Sequence, residues 1–430
     1  MIYWAMLLHF YQPPTQVHSV LDKVSDEAYR PLIAVLKANP NARLSVNING
    51  SLTEMLSEHG KTDILQGLDE LAQQKQIEFT GSGKYHPILP LIPQTEIIRQ
   101  INENRRINRK LIPSFQPRGF FPPEMSIGTN IIDPVLSTGH DWIIASGIAC
   151  PVEWPIDTVH YVNSPAGKLP VLFRDDVLSN RISFHEIDVQ GFIKHLLVFG
   201  RDKKDDIYIV TAMDAETFGH HIKNWEKDFL NALYRELAAN DTSPKIIRSV
   251  SKKTEKLISP EQAGNIIRPV TISEILNYFR TGKAIKPKPS SWSTSVEDIK
   301  NGNPYPLWNS PDNRIHQLLW EHLNLSIEMV NKAVSIAENN SELHPPNFFM
   351  EMLDPALHSD QFWWASKKPY WEVNLINRGL ALQQECLLNA YRAICNSIDI
   401  NDKEKKEYRY RYYAAENIAN NIKRLLFDNN

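Results

Sequence analysis

At 430 residues, 42% hydrophobic and 23% charged, the chain has the composition of a globular protein large enough for a barrel-type domain with a smaller companion. A formal net charge of −3 gives no support for a nucleic-acid or membrane partner, and no apolar run reaches membrane-spanning length. Three scattered cysteines, Cys150, Cys386 and Cys395, form no CxxC pair, which argues against a disulfide framework or a cysteine-rich zinc site and predicts a reducing, cytoplasmic location.

The first ten residues, MIYWAMLLHF, are apolar but lack a basic flank and a small-residue cleavage site, and so read as a first strand. His9, Tyr11 and Gln12 follow in LLHFYQPP. An imidazole and an amide at a strand end can hydrogen-bond sugar hydroxyls, although a satisfied core histidine fits this segment as well. Further runs near Leu44 to Ile48, Ile77 to Thr80, Gly119 to Phe121, Trp142 to Ser146, Pro170 to Phe173, Ile207 to Met213 and Ile266 to Val270 read as strands. Most precede segments with apolar residues at i, i+3, i+4 and i+7, such as Tyr29, Leu32, Ile33 and Leu36. Such alternation means a parallel sheet. With no GxGxxG after the first strand and no P-loop anywhere, a barrel is favoured over a nucleotide-binding open sheet.

Polar groups gather where these strands end. Tyr85-His86 lies in YHPILP after the third strand, where a plain proline-rich turn is the alternative. Glu124 follows Pro122-Pro123, which stiffen its approach, although an exposed loop glutamate reads the same way. Asp214 and Glu216 stand two apart after IYIV in IYIVTAMDAETFGHH, and would project to one side if the strand continued. Capping of a helix starting near Ile222 accounts for one carboxylate but not for His220, His221 and Gly219 beside it. In barrels of alternating strands and helices, catalytic groups sit at the carboxyl ends of strands. Two carboxyl groups on separate strand ends are what glycoside hydrolysis needs.

Asp241 to Gln262 is polar and reads as a surface excursion. Thr281 to Asn313 carries five prolines and little periodicity, so residues 281–312 are expected to be an ordered linker after a 1–280 barrel. Residues 313–430 then read as a helical bundle. Within it, LHSDQFWWASKKPYW places His358 and Asp360 beside Trp363 and Trp364. Indole faces can stack on pyranose rings while carboxylates bind hydroxyls, and Trp364 and Trp371, seven apart, could equally share a buried face.

Taken in order, LLHFYQPP, YHPILPLIP, GFFPPEM, MDAETFGHH and HSDQFWW resemble the five signature regions of glycoside hydrolase family 57, whose members act on α-glucans with retention. The resemblance implies an incomplete (β/α)7 barrel followed by a C-terminal helical bundle that contributes to the active-site cleft. It implies Glu124 as nucleophile and Asp214 as general acid/base, with His9, Gln12, His86, Glu216, Asp360 and Trp363 as sugar-contacting residues. Tyr11 stands where many members have histidine, and Phe121-Pro122 where Trp-Leu is usual. The substrate implied is an α-linked oligo- or polysaccharide, with no metal and no other cofactor. The lack of long insertions points to short amylase-like members over branching enzymes. The alternatives are 4-α-glucanotransferase or branching activity, a non-catalytic glucan-binding protein, and a metal-dependent glycosidase or deacetylase of related fold. For the last, His9-Phe10-Tyr11 lacks the needed carboxylate, while His220-His221 offers donors. Linkage, chain-length preference and oligomeric state are not legible in the sequence.

Overall fold

The computed structural model describes residues 1–201, 203–238, 267–339, 345–367 and 369–428, so the polar excursion expected at Asp241 to Gln262 lies outside the described residues. The chain forms two compact units. The first comprises residues 1–12, 16–84 and 92–292, and the second residues 13–15, 85–91 and 293–430.

The first unit is built on ten strands: β1 (Ile2–Phe10), β2 (Leu44–Ile48), β3 (Ile77–Gly81), β4 (Gly119–Phe120), β5 (Trp142–Ser146), β6 (Thr158–Ser164), β7 (Gly167–Arg174), β8 (Ile207–Asp214), β9 (Ile267–Val270) and β10 (Arg280–Ala284). They run in the order β10-β6-β7-β5-β4-β3-β2-β1-β8, with β9 pairing to β1 off this path. All pairs are parallel except the β6–β7 hairpin. β1 is shared by three strands. β8 pairs with it from Ile2 to His9 on one edge, while the other edge is divided between β9 (Ile2–Ala5) and β2 (Leu7–Phe10).

All nine β1 residues are buried because alternate side chains feed two cores. Ile2, Trp4, Met6, Leu8 and Phe10 join residues from the helices around Leu21–Leu36, Leu52–Leu71, Leu178–Leu196 and Phe229–Leu237. Tyr3, Ala5 and Leu7 join Phe121, Trp142, Leu172, Tyr208, Val210, Ala212 and Val270 on the opposite face. Even the polar atoms inside are paired: the Trp4 indole donates to Thr211 Oγ1 at 3.0 Å.

Two strands went unread in the sequence. β6 mixes buried, half-buried and exposed positions, and β10 (RTGKA), with no large apolar side chain, is almost fully exposed, so neither gives an apolar run. β10 also falls within the stretch expected to be a linker, and the first unit continues through Trp292. The strand expected at Gly119 to Phe121 is paired only over Gly119 and Phe120.

In the second unit, helices Arg314–Asn339, Pro346–Ala356, Val373–Asn396 and Asp402–Asp428 pack around a buried apolar interior that includes Leu319, Leu323, Val330, Leu353, Leu380, Leu387 and Ile422. The short helix Asp360–Trp363 is held by buried hydrogen bonds. His316 Nε2 lies 2.8 Å from the Phe362 carbonyl, and Trp320 stacks on the Phe362 ring at 4.2 Å. Gln361 donates to the Ala356 carbonyl at 2.7 Å, and Gln383 links Gln361 to His322. In the continuous helix Val373–Asn396, Cys386 is buried and Cys395 half-buried, and all three cysteines are free.

A Cβ at Gly119 would lie 1.9 Å from the fully buried Trp142 indole, so β4 can run beside β5 only without a side chain there. Gly119→Ala is therefore expected to cost about 2–4 kcal/mol of stability through overpacking, read as a lowered midpoint in urea unfolding.

Candidate active site

The alternation along β1 and β8 decides where their first polar residues emerge. His9 continues the Tyr3, Ala5, Leu7 face and Asp214 continues the Tyr208, Val210, Ala212 face, and the two residues are direct register partners. The His9 ring stacks on Phe121 at 4.7 Å and on Tyr11 at 5.7 Å. Its Nδ1 lies 2.7 Å from Asn47 Oδ1, and the Asn47 amide donates to Thr80 Oγ1 at 3.0 Å. With the amide nitrogen so engaged, the Asn47 oxygen faces the ring and the His9 proton sits on Nδ1.

Asp214 ends β8 and is partly exposed. Removal from water pushes its carboxyl up to about 6, opposed by the positive charge of Arg174. That guanidinium is buried at the end of β7, where it donates to the Ala212 carbonyl (2.7 Å), Asp176 (2.9 Å) and Asn180 (2.8 Å).

The strand stops at Asp214, so Glu216 does not follow it on a continued strand face. It lies in the single turn Ala215–Thr217, where one oxygen, Oε1, collects the Gln12 amide (3.2 Å), the Tyr11 N–H (3.4 Å) and the Tyr29 hydroxyl. Gln12 is itself oriented by Gln16, which donates to its carbonyl oxygen at 2.9 Å. Burial holds the Tyr29 phenol well above its ordinary range, so it remains a donor. Burial, joined by the negative charge of Asp214, pushes Glu216 up to about 8 against the pull of these donors.

Glu124 sits in a single turn, Pro123–Met125, after the prolines. Its φ is +58° and that of Met125 +48°, left-handed backbone that a side chain adopts at a cost of about 1–3 kcal/mol and that clusters at functional sites. Trp292 donates its indole N–H to Glu124 Oε2 at 2.7 Å and its main-chain N–H to the Glu124 carbonyl at 3.1 Å.

The remaining candidates belong to the second unit. His86, buried with φ +55°, places Nδ1 2.9 Å from Ser359 Oγ, and Ser359 donates its N–H to the His86 carbonyl at 3.2 Å. Two segments some 270 residues apart thus meet beside Asp360, whose carboxylate lies 3.1 Å from His358 Nδ1. Trp363 is half-buried and stacked on Tyr370 at 4.8 Å, Trp364 is buried, and Trp371 is half-buried. Trp364 therefore belongs to the interior of its unit.

No helix begins near Ile222. The chain turns there and becomes helical at Glu226. His220 pairs with Glu27 at 2.7 Å, burial lowers His221, and among the described residues no group of three or more His, Cys, Asp or Glu could hold a metal ion. Gly219, φ +111°, abuts the Glu27 carbonyl so closely that a Cβ would lie 1.9 Å from that oxygen.

Tyr29, Asn47, Arg174 and Trp292 were not singled out by sequence reasoning. Asn47 carries a signal, a lone amide inside the apolar run LSVNI, and Arg174 another, a charge at the end of an apolar strand. Tyr29 looks like any apolar position of an amphipathic helix, and Trp292 lies in a proline-rich stretch without periodicity.

The family model described as glycosyl hydrolase family 57 matches residues 5–263, more than half of the chain. The chain belongs to glycosyl hydrolase family 57. It is 24% identical over 247 residues to an α-amylase of Pyrococcus horikoshii, a match covering 54% of this chain and 37% of that protein. The chain thus spans little more than a third of that curated relative. Among solved structures, the 4-α-glucanotransferase of Thermococcus litoralis superposes with a TM-score of 0.66 at 17% identity, over 92% of this chain and 60% of that one. A branching enzyme of this family from Pyrococcus horikoshii gives 0.67 at 14% identity, over 96% and 94%. These likenesses show the fold, an incomplete (β/α)7 barrel followed by a helical region.

Glu216 titrates above its ordinary value near 4.5, so its contribution to stability is full below that value and is lost as pH rises through about 8. Melting temperature should fall between pH 5 and 8, by about 1–2 °C for each kcal/mol lost in a chain of this size, and Glu216→Gln should flatten this slope in thermal scans. A variant whose slope equals that of the wild type would contradict a buried, proton-holding Glu216.

Proposed function

We propose that this protein is a retaining glycoside hydrolase or transglycosylase acting on α-linked glucans of the maltodextrin, starch or glycogen type. The observation that carries this reading is Asp214, a desolvated carboxyl with its titration raised to about 6, at a strand end beside His9 in a first unit that also holds Glu124 in strained backbone. The names α-amylase, 4-α-glucanotransferase and branching enzyme among the relatives agree in substrate class.

In this reading Glu124 attacks the anomeric carbon while the Asp214 proton passes to the departing glycosidic oxygen. The aglycone leaves and a glycosyl ester remains on Glu124. Asp214, now a carboxylate, takes a proton from water or from a sugar hydroxyl, whose oxygen displaces Glu124 and regenerates the carboxylate. His9, Gln12 and Glu216 orient the sugar in the first unit, and His86, Asp360 and Trp363 are assigned sugar-contacting roles from the family resemblance. Hydrolysis and 4-α-glucan transfer share this chemistry and differ only in the acceptor. With three free cysteines and no helix among the described residues long and apolar enough to cross a membrane, a cytoplasmic site of action is part of the proposal.

Purified protein incubated with maltoheptaose is expected to give shorter products if water is the acceptor, and both shorter and longer ones if a glucan is. Glu124→Ala should lower turnover by about four orders of magnitude. Maltoheptaose left intact by the wild type, or turnover kept in the variant, would sink the assignment.

Asp214 must hold its proton for the first step. kcat/KM should therefore fall as pH rises through about 6, and Asp214→Asn should abolish that limb together with most activity. A flat profile between pH 5 and 8 in the wild type would remove Asp214 from the role.

A further inference from the structure

We propose that Trp292, in a stretch that reads as featureless linker, is the positioning residue that aims the Glu124 carboxylate. The proposal rests on the reading of Glu124 as nucleophile. Its observational basis is the way Trp292 is joined to Glu124 at two points, one through its indole and one through its main chain, while the indole is held from several sides.

Residues 290–292 run antiparallel to residues 124–127. Ile127 and Ser290 exchange main-chain hydrogen bonds (2.8 and 3.3 Å), and the Trp292 N–H donates to the Glu124 carbonyl (3.1 Å). This short ladder fixes the Trp292 backbone against the very turn in which Glu124 and Met125 adopt positive φ, so the strained conformation is over-determined by its neighbour. The indole is then oriented by its surroundings. Phe121 meets it edge-on at 5.8 Å and 72°, His9 at 6.0 Å and 73°, and the Arg174 guanidinium lies 5.9 Å from the ring centroid. The titratable and charged groups touching the ring are thus His9 from β1 and Arg174 from β7, with the Glu124 carboxylate at its N–H edge.

A rigid ring with one donor pointing at Oε2 does two things for a carboxylate nucleophile. It stabilises the ionised form, and by holding Oε2 it fixes the plane of the carboxylate and so the direction in which Oε1 is presented to an anomeric carbon. When the glycosyl ester breaks down, the electron pair of the C–O bond returns to Glu124, and the N–H again faces a full carboxylate. Both steps therefore depend on the same bond. Because Arg174 lies against the indole and is the charge that opposes the rise of the Asp214 carboxyl, one side chain lies between the surroundings of the two proposed catalytic groups.

The test compares Trp292→Phe, which removes the donor but keeps an aromatic ring, with Trp292→Gln, which supplies a non-titrating N–H. Each is assayed on maltoheptaose across pH 3.5 to 7.5 beside wild type and Glu124→Ala, with thermal midpoints recorded. For the phenylalanine variant we expect a fall in kcat of roughly ten- to a hundredfold with KM little changed, and an acidic limb of kcat/KM displaced upward. The glutamine variant should return the limb to its wild-type position. A limb displaced in both variants or in neither overturns the proposal, whatever the change in rate or melting. If wild type is active and Glu124→Ala is not, a stationary limb condemns only the role of Trp292. An inert wild type, or an active Glu124→Ala, condemns the reading of Glu124 itself.

Discussion

Burial of β1 on both faces is the constraint from which the rest of the first unit follows. A strand covered on each side is apolar almost throughout, and its alternating side chains then belong to two different cores. Register is consequently fixed, since a slip by one residue would exchange the Trp4 and Tyr3 faces throughout. Once register is fixed, the identity of the first polar residue determines which face becomes chemical. His9 and Asp214 emerge side by side because β1 and β8 obey the same alternation and run parallel.

The polar residues at these strand ends form linked pairs more than a scatter of isolated groups. His9 is held by Asn47, which is held by Thr80, so three neighbouring strands contribute one residue each to a chain of hydrogen bonds. Asp214 is balanced between burial, which favours its acid form, and Arg174, which favours its carboxylate. Glu216 is surrounded by donors from the end of β1 and from the helical turn at Tyr29. A carboxyl that must hold and return a proton near neutral pH needs such opposed influences, because burial alone would leave it permanently protonated.

The second unit uses a different device. There, a four-residue helix carrying Asp360 and Trp363 is fastened by amides and imidazoles from the longer helices, so the position of Asp360 depends on buried side chains such as His316, Gln361 and Gln383. This arrangement coexists with 14–17% identity to structures of the same fold. Such divergence is tolerable because packing asks only for apolar residues of suitable volume, whereas strand-end geometry asks for particular groups.

The linear sequence determined the alternation of buried strands and helices, the existence of a helical C-terminal region, and the strand-end position of Asp214 and Glu124. These are local properties: apolar period, proline stiffness and an abrupt change of polarity can be read within a dozen residues. Folding in three dimensions decided the rest. β10 is polar and exposed, and it becomes a strand only because β6 offers it an edge. The pairing of His86 with Ser359 joins segments that no local pattern connects. Tyr29 reaches Glu216 across 187 positions, and Trp292 reaches Glu124 across 168. A hydrogen bond acts over about 3 Å of space whatever the distance along the chain, so partners of this kind become visible only when the chain has been brought back on itself.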